Sequence, residues 1–289
     1  MQPVTHARIA TVNFNYGGID PVTGDDADAQ KTIIALNDVQ PHVVLGQEIW
    51  APPPTPPSTR LWDIANALGM TAVLGPITPG ARSPLHTAIL IDTDALGAEI
   101  TCDDPAPGHI GPTGTAPAWV RVELRIAALA ARWDLYAGHL PARSPTMQLA
   151  HAESLAARIA EHHQPTIVGA DFNGYPALPH VTSEELENIP RHLQVSRCRR
   201  GPDGRLERIL DVHDTLTRAG LIDVAADLPP GCRVPADLQP TGHGGARVDR
   251  IYATAELADA ATRYWQFPIG SDHDAAMVEM DLTQLEPTT

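Results

Sequence analysis

The chain has 289 residues, 43% of them apolar, and no uninterrupted apolar run near the roughly 20 residues of a membrane-spanning helix. Its 35 acidic and 20 basic residues leave a net charge of -15, a field that repels phosphate and so excludes indiscriminate adhesion to nucleic acid. Cys102, Cys198 and Cys232 are odd in number, far apart and without a CxxC pair, which excludes a disulfide framework and a structural zinc site and leaves free thiols.

No composition break divides residues 1–289, so one domain is expected. The start, MQPVTHARIATVNF, enters a first strand at 8–13 without a basic, apolar and small-residue leader, from which a cytoplasmic location follows by default. A helix over about 26–39, capped by Asp25 or Asp26, presents Ile33, Ile34, Leu36 and Val39 and delivers the chain to a strand at Val43–Gln47. The prolines of APPPTPP at 51–57 favour an extended form, either a stiff wall or a rigid connection to a helix opening at Ser58. Strands are expected at 71–74, 87–92, 117–124 and 133–138, then a long amphipathic helix at 145–163 that leads into TIVGAD.

Residues 175–209 form an Arg-rich insertion with no clear periodicity, in which Arg191, Arg197, Arg199, Arg200, Arg205 and Arg208 outnumber Asp203 and Glu207. Two readings stand side by side: a loop that contacts an anionic substrate, through Arg199 and Arg200, or a surface insertion paired with the acidic remainder. A helix and short strand at 210–226 and a final strand at 275–282 complete the chain.

Six of the β-like runs end in, or contain, a carboxylate, amide or imidazole: RIATVN with Asn13, VVLGQE with Glu48, DLYAGH with His139, TIVGADFN with Asp171 and Asn173, RVDRIY with Asp249, and GSDHD with Asp272 and His273. Apolar β-branched runs seek burial in a sheet, so polar groups at their exits place the strand ends around one site. Those groups are mainly hard oxygen donors with two histidines. Mutually repelling carboxylates are held together most simply by a divalent cation such as Mg²⁺, with Mn²⁺ as a substitute.

In order and content these fragments resemble the endonuclease/exonuclease/phosphatase superfamily, over nearly the whole chain: Asn13 after the first strand, Gln47-Glu48, His139, Gly169-Ala170-Asp171-Phe172-Asn173, Val248–Ile251 and Ser271-Asp272-His273. The resemblance implies a four-layer α/β/β/α sandwich of two packed mixed sheets with helices on both outer faces. It also implies Glu48 as the metal ligand, joined by Asn13 and Asp272. Asp171 then orients or deprotonates the attacking water, Asn173 donates to the phosphoryl oxygens, Asp249 orients His273, and His139 binds phosphate or protonates the leaving oxygen. Departures are His42 and Gly46 before the Gln-Glu pair, Ala170 before Asp171, and Asp274-Ala275 after His273; none removes an expected ligand.

Blander roles compete residue by residue. D-F-N-G is a natural Asx turn, His139 could be a core-edge histidine satisfied by backbone, and Asn15 competes with Asn13 two positions away. If the strand reached Asn173, its period of two would turn Asp171 and Asn173 to the same side. The expected activity is metal-dependent hydrolysis of a phosphodiester by direct attack of water, with nucleic acid as the foremost substrate and no membrane anchor. A small-molecule or lipid phosphate ester is the alternative, and a non-catalytic binding module the outsider.

Overall fold

In the computed structural model, residues 5–77, 84–101, 119–127, 131–229, 231–233 and 238–285 are described. The chain begins with β1 (His6–Asn13), crosses over through α1 (Ala27–Val39) into β2 (Val43–Ile49), and continues through α2 (Pro57–Leu68) to β3 (Thr71–Ile77) and β4 (His86–Ile91). A short α3 (Thr93–Leu96) leads to β5 (Ala98–Thr101), β6 (Trp119–Ile126) and β7 (Ala131–His139). The second crossover, α4 (Pro145–His162), then enters β8 (Thr166–Asp171). The Arg-rich segment holds α5 (Ser183–Asn188), α6 (Arg191–Arg197) and a hairpin of β9 (Cys198–Arg200) and β10 (Leu206–Arg208). After it come α7 (Asp211–Arg218), β11 (Leu221–Asp223), α8 (Val224–Asp227), β12 (Asp249–Thr254), α9 (Ala255–Asp259), β13 (Ala261–Pro268) and β14 (Asp274–Asp281).

Two six-stranded mixed sheets result, ordered β13-β14-β1-β2-β4-β3 and β11-β12-β8-β7-β6-β5. In each, one parallel pair (β1 with β2, β7 with β8) forms the centre, because a parallel connection needs a long crossover and α1 and α4 supply it. The sheets pack face to face around Ile9, Leu45, Ile89, Val122, Leu135, Ile167 and Val278. Alternate residues of the same strands bury the opposite faces. Ala10, Val12 and Val44 meet Leu36 of α1 and Ile64 of α2, while Tyr136 and Val168 meet Leu155 and Ile159 of α4 and Leu216 of α7. Burial on both faces is why these strands read as continuous apolar runs. Each such leucine or isoleucine contributes about 1.5–3 kcal/mol of transfer free energy. Gly169 lies at a close approach of the two sheets: a Cβ there would stand 2.5 Å from Leu45 Cδ1.

The architecture is the expected α/β/β/α sandwich, with differences at its margins. Positions 117 and 118 of the strand expected at 117–124, and Cys102, lie outside the described residues, whereas Cys198 and Cys232 are free thiols. The sequence reading assigns no strand to Ala98–Thr101 or Ala261–Pro268; both lie at or near sheet edges, where burial is partial and the apolar signal thins out. Residues 175–209 are not a plain loop. A small core of Tyr175, Leu186, Cys198 and Leu206 with Ala246 and Val248 fastens the segment to the approach to β12. A buried ion pair secures the same approach, with Arg247 Nη1 and Nη2 lying 3.2 and 2.5 Å from the Asp223 carboxylate. Among the described residues no helix is long and apolar enough to cross a membrane.

Candidate active site

Ladder registers bring the polar strand ends together. Asn13 closes β1 beside Gln47 of β2, His139 closes β7 beside Asp171 of β8, and Asp171 in turn faces Asp249 at the start of β12. Because the two sheets pack with these ends on the same side, Asn13 of one sheet reaches Asp171 of the other. Its Nδ2 lies 3.3 Å from Glu48 Oε1 and 3.3 Å from Asp171 Oδ2. Asn15 does not compete for this place; it enters the following turn, and its backbone N–H donates to Asn13 Oδ1.

Glu48 reaches the cleft through a break in strand regularity. The β2–β4 register shifts between Gly46 and Ile49, and Glu48 adopts φ 59°, a left-handed conformation that a residue with a Cβ rarely holds. Gln47 is therefore free to turn inward, where its Nε2 donates to Thr11 Oγ1 and Leu45 O, while Glu48 Oε2 accepts from the Tyr16 N–H. His139 Nε2 lies 3.8 Å from Glu48 Oε1 and 3.5 Å from Asp171 Oδ2, so the imidazole stands between two carboxylates instead of being satisfied by backbone alone.

The strand does not run on to Asn173. β8 ends at Asp171, and Asn173 has φ 52°, so strand periodicity is not what joins the two residues. An Asx turn does: Asn173 N–H donates to Asp171 Oδ1 at 2.8 Å, and the Asn173 amide nitrogen donates to Leu140 O at 2.9 Å. The turn and the shared site are one arrangement. Phe172, between them, is buried with the Arg250 guanidinium 4.5 Å above its ring.

On the far side, His273 Nδ1 lies 2.7 Å from Asp249 Oδ2. Gly242 leaves room for this ring, since a Cβ there would sit 2.6 Å from His273 Cε1. Burial opposes a charged imidazole, but the charge and hydrogen bond of Asp249, with Asp171 beyond, push the His273 pKa up to about 10. Burial likewise opposes a charged Asp171, yet His139, His273 and the Asn173 N–H hold its carboxyl below the usual range. The site thus pairs a carboxylate with an imidazolium at neutral pH. Asp272, adjacent to His273, turns to the rim instead, where its Oδ2 lies 2.9 Å from His243 Nε2.

Beside Asn173 and His273 opens a cavity of about 390 Å³, walled by Arg143, Leu193, Arg197 and His243. Arg197 is the functional candidate that sequence reading did not single out. Buried to 4% exposure, it donates from Nε to Asn173 O and from Nη1 to His243 O, tying two site loops to α6. A signal did exist: Arg197 follows Leu193 by four positions, which places both on one helix face. Arg199 and Arg200 instead lie exposed on β9. Arg199 Nη1 stands 3.4 Å from Asp211, Arg200 Nη1 donates to Gly204 O, and neither lines the cavity.

Ligand atoms of Asp171, Asp249 and His273 all lie within 4.8 Å of one another and form a group that could hold a metal ion. Asp249 Oδ1 is buried without a hydrogen-bond partner, and the carboxylates of Glu48 and Asp171 converge on a single amide nitrogen. Such a set of hard oxygen donors fits a divalent cation.

No protein-family model matches the sequence, and no curated protein resembles it significantly. Solved structures do. An endonuclease/exonuclease/phosphatase protein from Bacteroides vulgatus superposes with a TM-score of 0.64 at 15% identity, over 96% of this chain and 99% of that one. An AP endonuclease from Archaeoglobus fulgidus gives 0.60 at 16% identity over 95% and 99%. A mannosyl-6-phosphatase from Bacteroides thetaiotaomicron gives 0.58 at 13% over 94% and 98%. The fold is therefore that of the endonuclease/exonuclease/phosphatase proteins.

Proposed function

We propose that the chain is a Mg²⁺-dependent phosphoesterase, with Mn²⁺ as a substitute, that hydrolyses a phosphodiester by direct attack of water. The observation that carries this reading is the Asp249–His273 pair facing Asp171, with Glu48 and Asn13 completing the same cleft from the other sheet. The fold supports it, since proteins that share it include an AP endonuclease and a phosphatase.

Phosphate esters resist hydrolysis because their charge repels nucleophiles and a poor alkoxide must leave. A divalent cation held by Glu48, with Asn13 beside it, would supply charge neutralisation at the phosphoryl and leaving oxygens, while Asp272, bonded to His243 at the rim, stands apart from that position. Asp171, kept as a carboxylate, takes a proton from the attacking water as its oxygen bonds to phosphorus and the bond to the leaving oxygen breaks. His273, kept as an imidazolium by Asp249, donates to a phosphoryl oxygen as charge builds there. Asn173 spends one amide hydrogen on Leu140 O and has the other for the phosphoryl group. His139, between Glu48 and Asp171, is placed to hydrogen-bond the phosphate or protonate the leaving oxygen.

The resemblance favours nucleic acid as the substrate; the cavity beside His273, of small-molecule size, favours the second reading, a small phosphate ester. Hydrolysis of bis(p-nitrophenyl) phosphate tests the chemistry common to both. Activity that chelation removes and Mg²⁺ restores supports the reading, and a protein inert with Mg²⁺ and Mn²⁺ alike refutes it.

A further inference from the structure

We infer that the segment 175–209 makes this centre a pocket for a phosphate ester with one compact, partly apolar substituent, no larger than a nucleoside, and that it does not admit duplex nucleic acid. The inference rests on the phosphoesterase reading and names its substrate class.

Three observations carry it. First, α6 stands beside the catalytic groups: the cavity runs from Asn173 and His273 to Leu193 and Arg197 of that helix, with Ala142 and Pro190 adding apolar wall. Its 390 Å³ lies within the range of small-molecule sites.

Second, α6 is bolted down and is not a flap. Arg197 ties it to Asn173 O and His243 O, and Leu193 packs so tightly on Gly244 that a Cβ there would come within 2.2 Å of Leu193 Cδ1. Arg208 donates from Nη1 to Pro176 O, Ala177 O and Pro179 O and pins the start of the segment. Swinging α6 away would dismantle the Asn173 loop itself.

Third, the cations are arranged for one small anion. Arg143 stands exposed at the cavity with no hydrogen bond or ion pair among the described residues, and Arg197 lies within. Among the described residues these two are the only arginines that line the cavity. Arg199 and Arg200 are engaged by their own hairpin and Asp211, in a chain of charge -15. A DNA-binding module commonly buries about 600–1,000 Å² or more and contacts several phosphates.

The test compares, with Mg²⁺, kcat/KM for thymidine 5′-(methyl phosphate), which like DNA must expel an alkoxide, against single-stranded and duplex DNA, per cleavable bond, in the wild type and in Ala142→Trp. Ala142 is exposed and lines the cavity, so a tryptophan there fills it without touching the core. The inference predicts that the small ester is preferred by about tenfold or more, and that Ala142→Trp raises its KM by about tenfold, as loss of pocket complementarity does. DNA cleaved as well as the small ester, or an unchanged KM in Ala142→Trp, overturns it. If no ester at all is cleaved, the phosphoesterase reading fails separately. Calorimetry with thymidine 5′-monophosphate then decides the pocket: binding that Ala142→Trp weakens upholds it, and no binding by the wild type overturns it.

Discussion

Asp171 and Asp249 face each other across the β8–β12 ladder, both buried, so two like charges occupy a cross-strand pair that should be destabilising. His273 resolves the conflict by bonding Asp249 at 2.7 Å, and the resulting imidazolium is available to the site. With the His273 pKa raised to about 10, the imidazolium persists through neutral pH, and activity that needs it declines as pH rises through that value. Replacing Asp249 with Asn removes the charge and should move this alkaline limb down toward the ordinary histidine value of about 6.5. The pH profiles of kcat for the two proteins check this. Stability follows the same sign: the contribution of His273 is complete below its unfolded pKa and is lost as pH rises through about 10, as thermal melts across that range would record.

Gly242→Ala places a methyl group where the His273 ring lies. The expected result is a fall in kcat of about 10²-fold or more, the scale of displaced general acid–base groups, with near-native circular dichroism. Wild-type kcat in this variant would mean that the ring position is not critical.

Arg197→Met keeps the stem's packing but removes two buried donors from Asn173 O and His243 O. Loss of these charge-assisted bonds is expected to cost about 2–4 kcal/mol in chemical denaturation and to lower kcat more than it raises KM, because Asn173 loses its tether. Arg199→Ala/Arg200→Ala separates the two substrate readings. A small-ester site predicts an unchanged KM, whereas a nucleic-acid site served by these arginines predicts a higher one.

Asp223→Ala leaves the buried Arg247 guanidinium without its carboxylate. Breaking such a pair costs about 3–5 kcal/mol, which a urea titration would read as a lower midpoint. Since Arg247 precedes Val248 and Asp249 directly, activity should fall at temperatures well below global unfolding.

The sandwich and most of the cleft were legible because the same physics writes both. Strands buried on two faces must be apolar throughout, so each polar residue at a strand end stands out, as Glu48, His139 and Asp171 do. What stayed hidden was conformational. Nothing in VVLGQEIW announces the left-handed Glu48 that turns the carboxylate into the cleft, and Asp171 with Asn173 could be paired by strand periodicity or by an Asx turn until the end of β8 was known. Residues 175–209 resisted reading because α5 and α6 have only 6 and 7 residues, too short for a periodic signal. Within that segment Arg197, Arg199 and Arg200 are alike in sequence, and only the Leu193 contact face separates the buried one from the exposed pair.

The central claim is that Glu48, Asp171, Asp249 and His273 act as one phosphoesterase centre. It is tested most directly by the Mg²⁺-dependent turnover of bis(p-nitrophenyl) phosphate in Asp171→Asn beside the wild type. A chelator-sensitive wild-type rate that falls by about 10³-fold or more in a variant with an unchanged fold is the predicted result. Equal turnover by the two proteins would contradict it.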